Sequence, residues 1–273
     1  VMSSQLDFRP RRSCLFMQGA YTRGLVKARW LPADTLILDL EDAVAPEAIA
    51  GARQAVLEAV ARGYGNREVL IRINSLESPW GQDDLAMVVA AKPHGLLLPK
   101  VTSGEQLGQV DAALNQAGAD LDMGVWAMIE MPQAVLRLDE IAAAAEGTRL
   151  CGLVMGLNDL AVETGALVTP DRAAFQTALS MAVMAARAWG LVVIDGVFNH
   201  VGIPFWALER ARAEGPDSRY AKWFTIHAWD DPATPQDEFD YEGWVGIKDL
   251  PVFRMGKDGP HPEVKAHFKA VLE

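Results

Sequence analysis

Three carboxylates, Asp39, Glu41 and Asp42, gather where an apolar run beginning at Leu36 comes to an end. Burying an ionised carboxylate is costly unless something positive meets it, so residues of this type in this place point to a cation at the mouth of a buried strand. Further along, Arg72 with Asn74, then Lys100, Glu130, Asp159 and Asp195, each follow an apolar run. Asp or Asn after a strand often only caps the next helix. Six successive strand ends with ionisable groups exceed what capping explains, because Glu and Arg are not favoured caps. Glu130 and Asp159 are the best metal candidates: two carboxylates with open positions suit a hard divalent ion that keeps several waters, such as Mg²⁺. None of the five histidines lies near these strand ends, which argues against a His-rich zinc site.

The planar fork of Arg72 would suit a substrate carboxylate. A buried ion pair with Glu41 or Asp42 is the alternative, and the two are not exclusive. Lys100, directly after Pro99, has the chemistry for a Schiff base. With a metal already serving as electron sink, a surface or phosphate-facing role is expected instead.

Positioning these groups requires alternating strands and helices. Strands are expected over 14–17, 36–40, 68–73, 95–98, 123–129, 150–155 and 191–194, with an eighth over 223–226. Helices are expected to about Trp30, over 46–61, 82–91, 103–116, 132–146, 171–189 and 205–214, and near 261–272. Ser103 reads as a helix cap and Pro132 as a first-turn residue. Residues 1–12 read as a polar tail turning basic at Arg9, Arg11 and Arg12. Such alternation implies a parallel sheet, open or closed. No glycine fingerprint follows the first strand, where Met17-Gln18-Gly19-Ala20 stands, and the number of units favours closure. The expected fold is α/β, a (β/α)8 TIM barrel over 1–229 with an atypical C-terminal extension over 230–273 that could pack on a neighbouring subunit.

Composition excludes several classes. The chain has 273 residues, 50% of them hydrophobic, enough for a sizeable core. A formal charge of −11 argues against nucleic acid or an anionic membrane as partner. The two cysteines, Cys14 and Cys151, lie in apolar runs and read as buried free thiols of a reducing compartment. The N-terminal residues lack the features of a signal peptide, and no apolar run approaches the roughly 18 residues of a membrane span. A soluble, cytoplasmic protein is expected.

Seven motifs in order carry a resemblance. They are Arg12-Ser13-Cys14-Leu15-Phe16, Leu38-Asp39-Leu40-Glu41-Asp42-Ala43-Val44, Arg72-Ile73-Asn74, Leu98-Pro99-Lys100-Val101, Ile129-Glu130, Gly156-Leu157-Asn158-Asp159-Leu160 and Ile194-Asp195-Gly196-Val197. The set resembles the citrate lyase beta-subunit branch of the aldolase/citrate lyase superfamily, with its malyl-CoA and citramalyl-CoA lyases, over roughly residues 11 to 199. The resemblance implies a barrel, usually trimeric (a trimer or hexamer is expected here), with Mg²⁺ held by Glu130 and Asp159. It implies Arg72 on the acyl or keto-acid carboxylate, and Glu41 and Asp42 holding metal-bound waters, so Arg72, Glu41 and Asp42 form the catalytic set. Arg72, Lys100, Asp39 and Asn74 are the expected substrate contacts.

The implied reaction is carbon–carbon cleavage of a 3-hydroxyacyl-CoA thioester, such as malyl-CoA, citramalyl-CoA or a citryl thioester. Two alternatives stand beside it: a pyruvate-dependent class II aldolase acting on a free 2-keto-hydroxy acid, and a non-catalytic binding protein on a degraded barrel. The chain departs from the family pattern at Met17-Gln18-Gly19, at Met131 and throughout its C-terminal third. There only Lys222 and Ile226-His227 echo the family, and Asp230 and Asp231 are positional candidates for its catalytic Asp.

Overall fold

The structure is a computed structural model that describes residues 11, 13–31, 33–42, 44–169, 172–194, 206–229, 239–241, 243–244, 247–251, 255–256 and 259–264. Asp195, Asp230 and Asp231 lie outside the described residues. So does most of the helix expected near 261–272, of which residues 262–264 are helical.

Seven strands, β1 (Cys14–Gln18), β2 (Thr35–Asp39), β3 (Glu68–Arg72), β4 (Gly95–Leu98), β5 (Gly124–Ile129), β6 (Leu150–Met155) and β7 (Val192–Ile194), form one sheet in sequence order. Every adjacent pair is parallel. The α/β barrel architecture expected from the strand–helix rhythm is thus present, with seven parallel strands among the described residues. All five positions of β2 and of β3 are buried, as both faces of a helix-covered parallel sheet must be.

Alternate strand positions point to one face. Ile37, Leu70, Leu97, Trp126, Val154 and Ile194 meet in one apolar cluster inside the curled sheet. Strand register places Asp39 beside Arg72 on the same face, one layer above the Ile37–Leu70 pair. Trp126 fills the interior so closely over Gly152 that a Cβ there would run into its ring.

Below that cluster, Glu68 accepts from Arg11 Nε at 2.5 Å and Nη2 at 2.7 Å and from Thr35 Oγ1 at 3.0 Å. The Arg11 guanidinium lies 5.2 Å from the Trp126 ring centre. Arg11 is therefore no tail residue; it closes a polar layer inside the sheet. Both cysteines are free thiols. Burial pushes Cys14 up to about 11 and Cys151 up to about 12, which leaves them unreactive near neutrality.

The helices between these strands are α1 (Thr22–Lys27), α2 (Ile49–Ala61), α3 (Gly81–Ala91), α4 (Gly104–Gln116), α5 (Pro132–Leu136), α6 (Leu138–Ala143), α7 (Leu157–Thr164) and α8 (Gln176–Ala188). Ser103 caps α4 in a reciprocal capping box with Gln106. The single helix expected over 132–146 is broken at Arg137, whose backbone (φ −117°, ψ 22°) leaves the helical region. Helix α7 was not expected; Asp159 occupies its first turn.

The expected eighth strand at 223–226 is corrected. Ala221–Trp223 is a 3₁₀ turn, and β8 (Ile226–Ala228) pairs antiparallel with β9 (Asp240–Tyr241), apart from the parallel sheet. Ile-His-Ala alternates apolar and polar, the pattern of a strand with one wet face rather than one buried on both.

The chain divides into two compact units, residues 1–165 with 177–196, and residues 166–176 with 197–273. The second unit has its own apolar cluster, in which helix α9 (Trp206–Glu214) contributes Ala207, Leu208 and Ala211 alongside Trp223, Phe224 and Tyr241. It also holds two short antiparallel pairs, β10 (Gly243–Trp244) with β11 (Ile247–Pro251), and β12 (Met255–Gly256) with β13 (Gly259–Pro260).

Candidate active site

Parallel strands deliver their C-terminal ends to one rim, and the buried charges Asp39, Glu41, Arg72 and Glu130 collect there. Arg72, the last residue of β3, is 5% exposed and makes a two-pronged pair with Asp39 at the end of β2. Its Nε and Nη2 each lie 2.6 Å from an Asp39 oxygen. Its Nη1 lies 3.1 Å from Asp42 Oδ2 and 3.1 Å from Glu41 Oε2. The Phe16 ring sits under the guanidinium at 5.2 Å. The ion pair expected with Glu41 or Asp42 is present, but Asp39 is the dominant partner. Burial alone would lower the Arg72 pKa; the attraction of Asp39, Glu41 and Asp42 outweighs it and raises it.

Lys100 follows β4 in the left-handed region, at φ 52°. That conformation is uncommon for a residue with a side chain and marks a place held by its surroundings. Three contacts hold it: its backbone N–H donates to Glu130 Oε1 at 2.7 Å, and its Nζ lies 3.0 Å from Glu41 Oε1 and 3.9 Å from Asp42 Oδ1. The ammonium faces carboxylates and is half exposed.

Glu130 follows β5 and is fully buried, with Oε2 lacking any hydrogen-bond partner. Burial first, then Asp159 and Glu41, push its carboxyl up to about 8. Glu41 is pushed up to about 7, by burial first against the opposing pull of Arg72. Its Oε2 is near Arg72 but without hydrogen-bonding geometry. Asp159 is raised by burial and then by Asp42. The rim thus holds five carboxylates, Asp39, Glu41, Asp42, Glu130 and Asp159, against the two cations Arg72 and Lys100.

That excess, and the orphaned buried oxygen of Glu130, fit a divalent cation. Among the described residues no three His, Cys, Asp or Glu side chains form a ready-made cage. Two carboxylates with waters completing the shell is the arrangement Mg²⁺ favours, and Glu130 with Asp159 fits it.

Asn74 lines the cavity beside Glu41 and Lys100, with its amide nitrogen bonded into the scaffold. Its Nδ2 donates to Leu40 O at 2.9 Å and to Asp84 Oδ2 at 2.7 Å. Asp39 likewise directs both oxygens at Arg72, and one also accepts from Glu41 N at 3.0 Å. Sequence reading had not singled out Asp84 or its partner Arg53; no spacing in the chain announces a pair made between two helices. Beside Glu41, Asp42 and Lys100 opens a cavity of about 280 Å³, walled by Val44, Pro46, Ile49 and Trp80. Its size suits a small acid or one arm of a larger ligand.

The HpcH/HpaI aldolase/citrate lyase family model matches residues 12–212. The chain is 42% identical over 191 residues to a (3S)-malyl-CoA thioesterase of Cereibacter sphaeroides, covering 70% of this chain and 64% of that protein. It is 32% identical over 201 residues to a citrate lyase subunit beta of Escherichia coli, covering 71% and 66%. The matches therefore span a little under two thirds of these relatives' lengths. A solved Mycobacterium tuberculosis citrate lyase beta subunit, complexed with oxaloacetate and magnesium, superimposes with a TM-score of 0.57 at 25% identity, covering 75% of this chain and 86% of that one.

Proposed function

Because this chain belongs to the HpcH/HpaI aldolase/citrate lyase family, we propose that it is an Mg²⁺-dependent carbon–carbon lyase acting on a short carboxylated 3-hydroxyacyl-CoA thioester, malyl-CoA first among them. The observation that carries this reading is the rim of five carboxylates and two cations, with Glu130 buried, unpartnered at Oε2 and pushed up to about 8. The relatives' names supply the substrate class; the rim supplies the means.

Glu130 and Asp159 would hold the ion. Bound there, Mg²⁺ would supply Lewis acidity toward the substrate's oxygen atoms. Arg72, set in place by Asp39, binds the substrate carboxylate through Nη1, the one nitrogen that Asp39 leaves facing Glu41 and Asp42. Glu41, poised at about 7, suits proton transfer near neutrality, and takes the proton of the 3-hydroxyl. The C2–C3 bond then breaks, its electron pair passes to the thioester α-carbon, and glyoxylate leaves. Water protonates that carbon to complete acetyl-CoA, and Glu41 returns its proton to solvent, which leaves the proton count unchanged. Lys100 stays on Glu41 and holds it toward the reacting hydroxyl.

A second reading is favoured by one finding, the 42% identity to a malyl-CoA thioesterase. There the same substrate loses its thioester to water, giving malate and free CoA. Malyl-CoA with Mg²⁺ and the purified protein distinguishes the two. Glyoxylate with acetyl-CoA supports the lyase, malate with free CoA supports the hydrolase, absence of any malyl-CoA turnover would refute both, and lyase turnover that survives EDTA would refute its dependence on Mg²⁺.

A further inference from the structure

Leu40 sits between the carboxylates that matter, one residue after Asp39 and one before Glu41. Its two peptide groups are both tied to the end of β3. The Leu40 N–H donates to Arg72 O at 2.9 Å, and its carbonyl accepts from Asn74 Nδ2 at 2.9 Å. Asn74 is in turn held by one fully buried carboxylate: Asp84 Oδ2 accepts from Asn74 N at 2.8 Å and from Asn74 Nδ2 at 2.7 Å. The other oxygen, Oδ1, accepts from Arg53 Nε at 2.6 Å. Arg53, on α2, also donates from Nη2 to Trp80 O at 3.0 Å, just before α3. Asp84 lies in the first turn of α3, yet these bonds go to the end of β3 and to α2 instead of to amides of its own helix.

We propose that Asp84, fixed by Arg53, is a positioning residue for the rim: through Asn74 it sets the Leu40 peptide, and with it the directions in which Asp39, Glu41 and Asp42 present their carboxylates to Arg72 and Lys100. The inference rests on the reading of that rim as the catalytic site. It separates the rim into two halves. Glu130 follows β5 and Asp159 lies on α7, joined to the relay only indirectly through Lys100, whose N–H meets Glu130 and whose Nζ meets Glu41, whereas Arg72 and Glu41 adjoin the Leu40 peptide directly. Misplacing a reacting group by about 1 Å can cost on the order of a hundredfold in rate, so a small shift of Leu40 has a large readout.

Asp84→Asn and Arg53→Met test it, with Glu68→Gln as the control. Glu68→Gln also breaks a buried arginine–carboxylate pair, but at the opposite end of the sheet interior. In the relay variants, kcat/KM for malyl-CoA should fall on the order of 10- to 100-fold, chiefly through KM as Arg72 loses its aim. Mg²⁺ affinity measured by calorimetry should change by less than about twofold. The control should lose comparable Tm while keeping KM and Mg²⁺ affinity.

Relay variants with wild-type KM below their Tm overturn the proposal, as does a control that raises KM equally. Should the wild type neither bind Mg²⁺ nor turn over malyl-CoA, the functional reading fails on its own. The relay is then judged by crystal structures of the variants: a displaced Leu40–Asp42 segment upholds it, and a superimposable one overturns it.

Discussion

Glu130 is a carboxylate kept in a place where a charge is unwelcome until something positive arrives. Removing the charge without changing the shape should therefore help the empty protein and harm the loaded one. For Glu130→Gln, the bond from Lys100 N to Oε1 can be kept, while the unpartnered oxygen becomes an amide. The expected outcome is a higher Tm in EDTA at pH above 8, loss of the Mg²⁺-dependent rise in Tm, and loss of turnover; full Mg²⁺ binding would sink the assignment. Arg72→Lys tests the fork. A point charge cannot reproduce the pair of 2.6 Å contacts with Asp39, so stability should fall by about 1–3 kcal/mol and KM should rise sharply. An unchanged KM would make Arg72 purely structural. At this scale the sequence was informative: Glu41, Asp42, Arg72, Lys100, Glu130 and Asp159 all announced themselves as ionisable groups after apolar runs. What it hid was the pairing. That Asp39 takes the arginine's main edge depends on β2–β3 register, which no linear spacing encodes.

Elements bring these groups within reach, and one close junction is that between β6 and α7. Gly156 stands there, and a Cβ at that position would lie 2.6 Å from Glu130 Cβ and 2.7 Å from its Oε2. Gly156→Ala should push the Glu130 carboxylate aside, lowering Tm and weakening Mg²⁺ binding together, as calorimetry and thermal melts would register. If Mg²⁺ affinity survives the substitution, Glu130 is not held where the ion needs it. The parallel strands were legible because each is a short apolar run between turn residues, and the α4 cap because Ser103 and Gln106 have capping-box spacing. Helix α7 was missed because Gly156-Leu-Asn-Asp reads as a loop motif, though Asp159 in a first turn is also a favourable helix-start residue. The eighth strand was misplaced because Trp223-Phe224 looks like strand sequence, while these residues serve the apolar cluster of the second unit. Burial by tertiary neighbours decided both.

Across the whole molecule, the raised carboxyls make stability depend on pH and on metal in a linked way. Glu130 at about 8 and Glu41 at about 7 both sit above their ordinary carboxylate value, and Asp159 is raised as well. A group whose folded pKa is raised contributes stability that is complete below its unfolded pKa, and that is lost as pH rises through the folded one. The metal-free protein should accordingly lose Tm from about pH 5 up to about pH 8, as these buried groups are forced to ionise. Mg²⁺ needs the ionised forms, so its stabilisation should grow over the same interval. Melts at pH 6.0 and 8.5, each with EDTA or with Mg²⁺, separate the two effects. The expected pattern is a lower Tm at pH 8.5 in EDTA and a larger Mg²⁺-induced rise there than at pH 6.0. A Tm in EDTA that is flat or climbs with pH would mean the rim carboxylates find their compensation within the protein. An equal Mg²⁺ effect at both pH values would mean the ion binds somewhere other than Glu130 and Asp159.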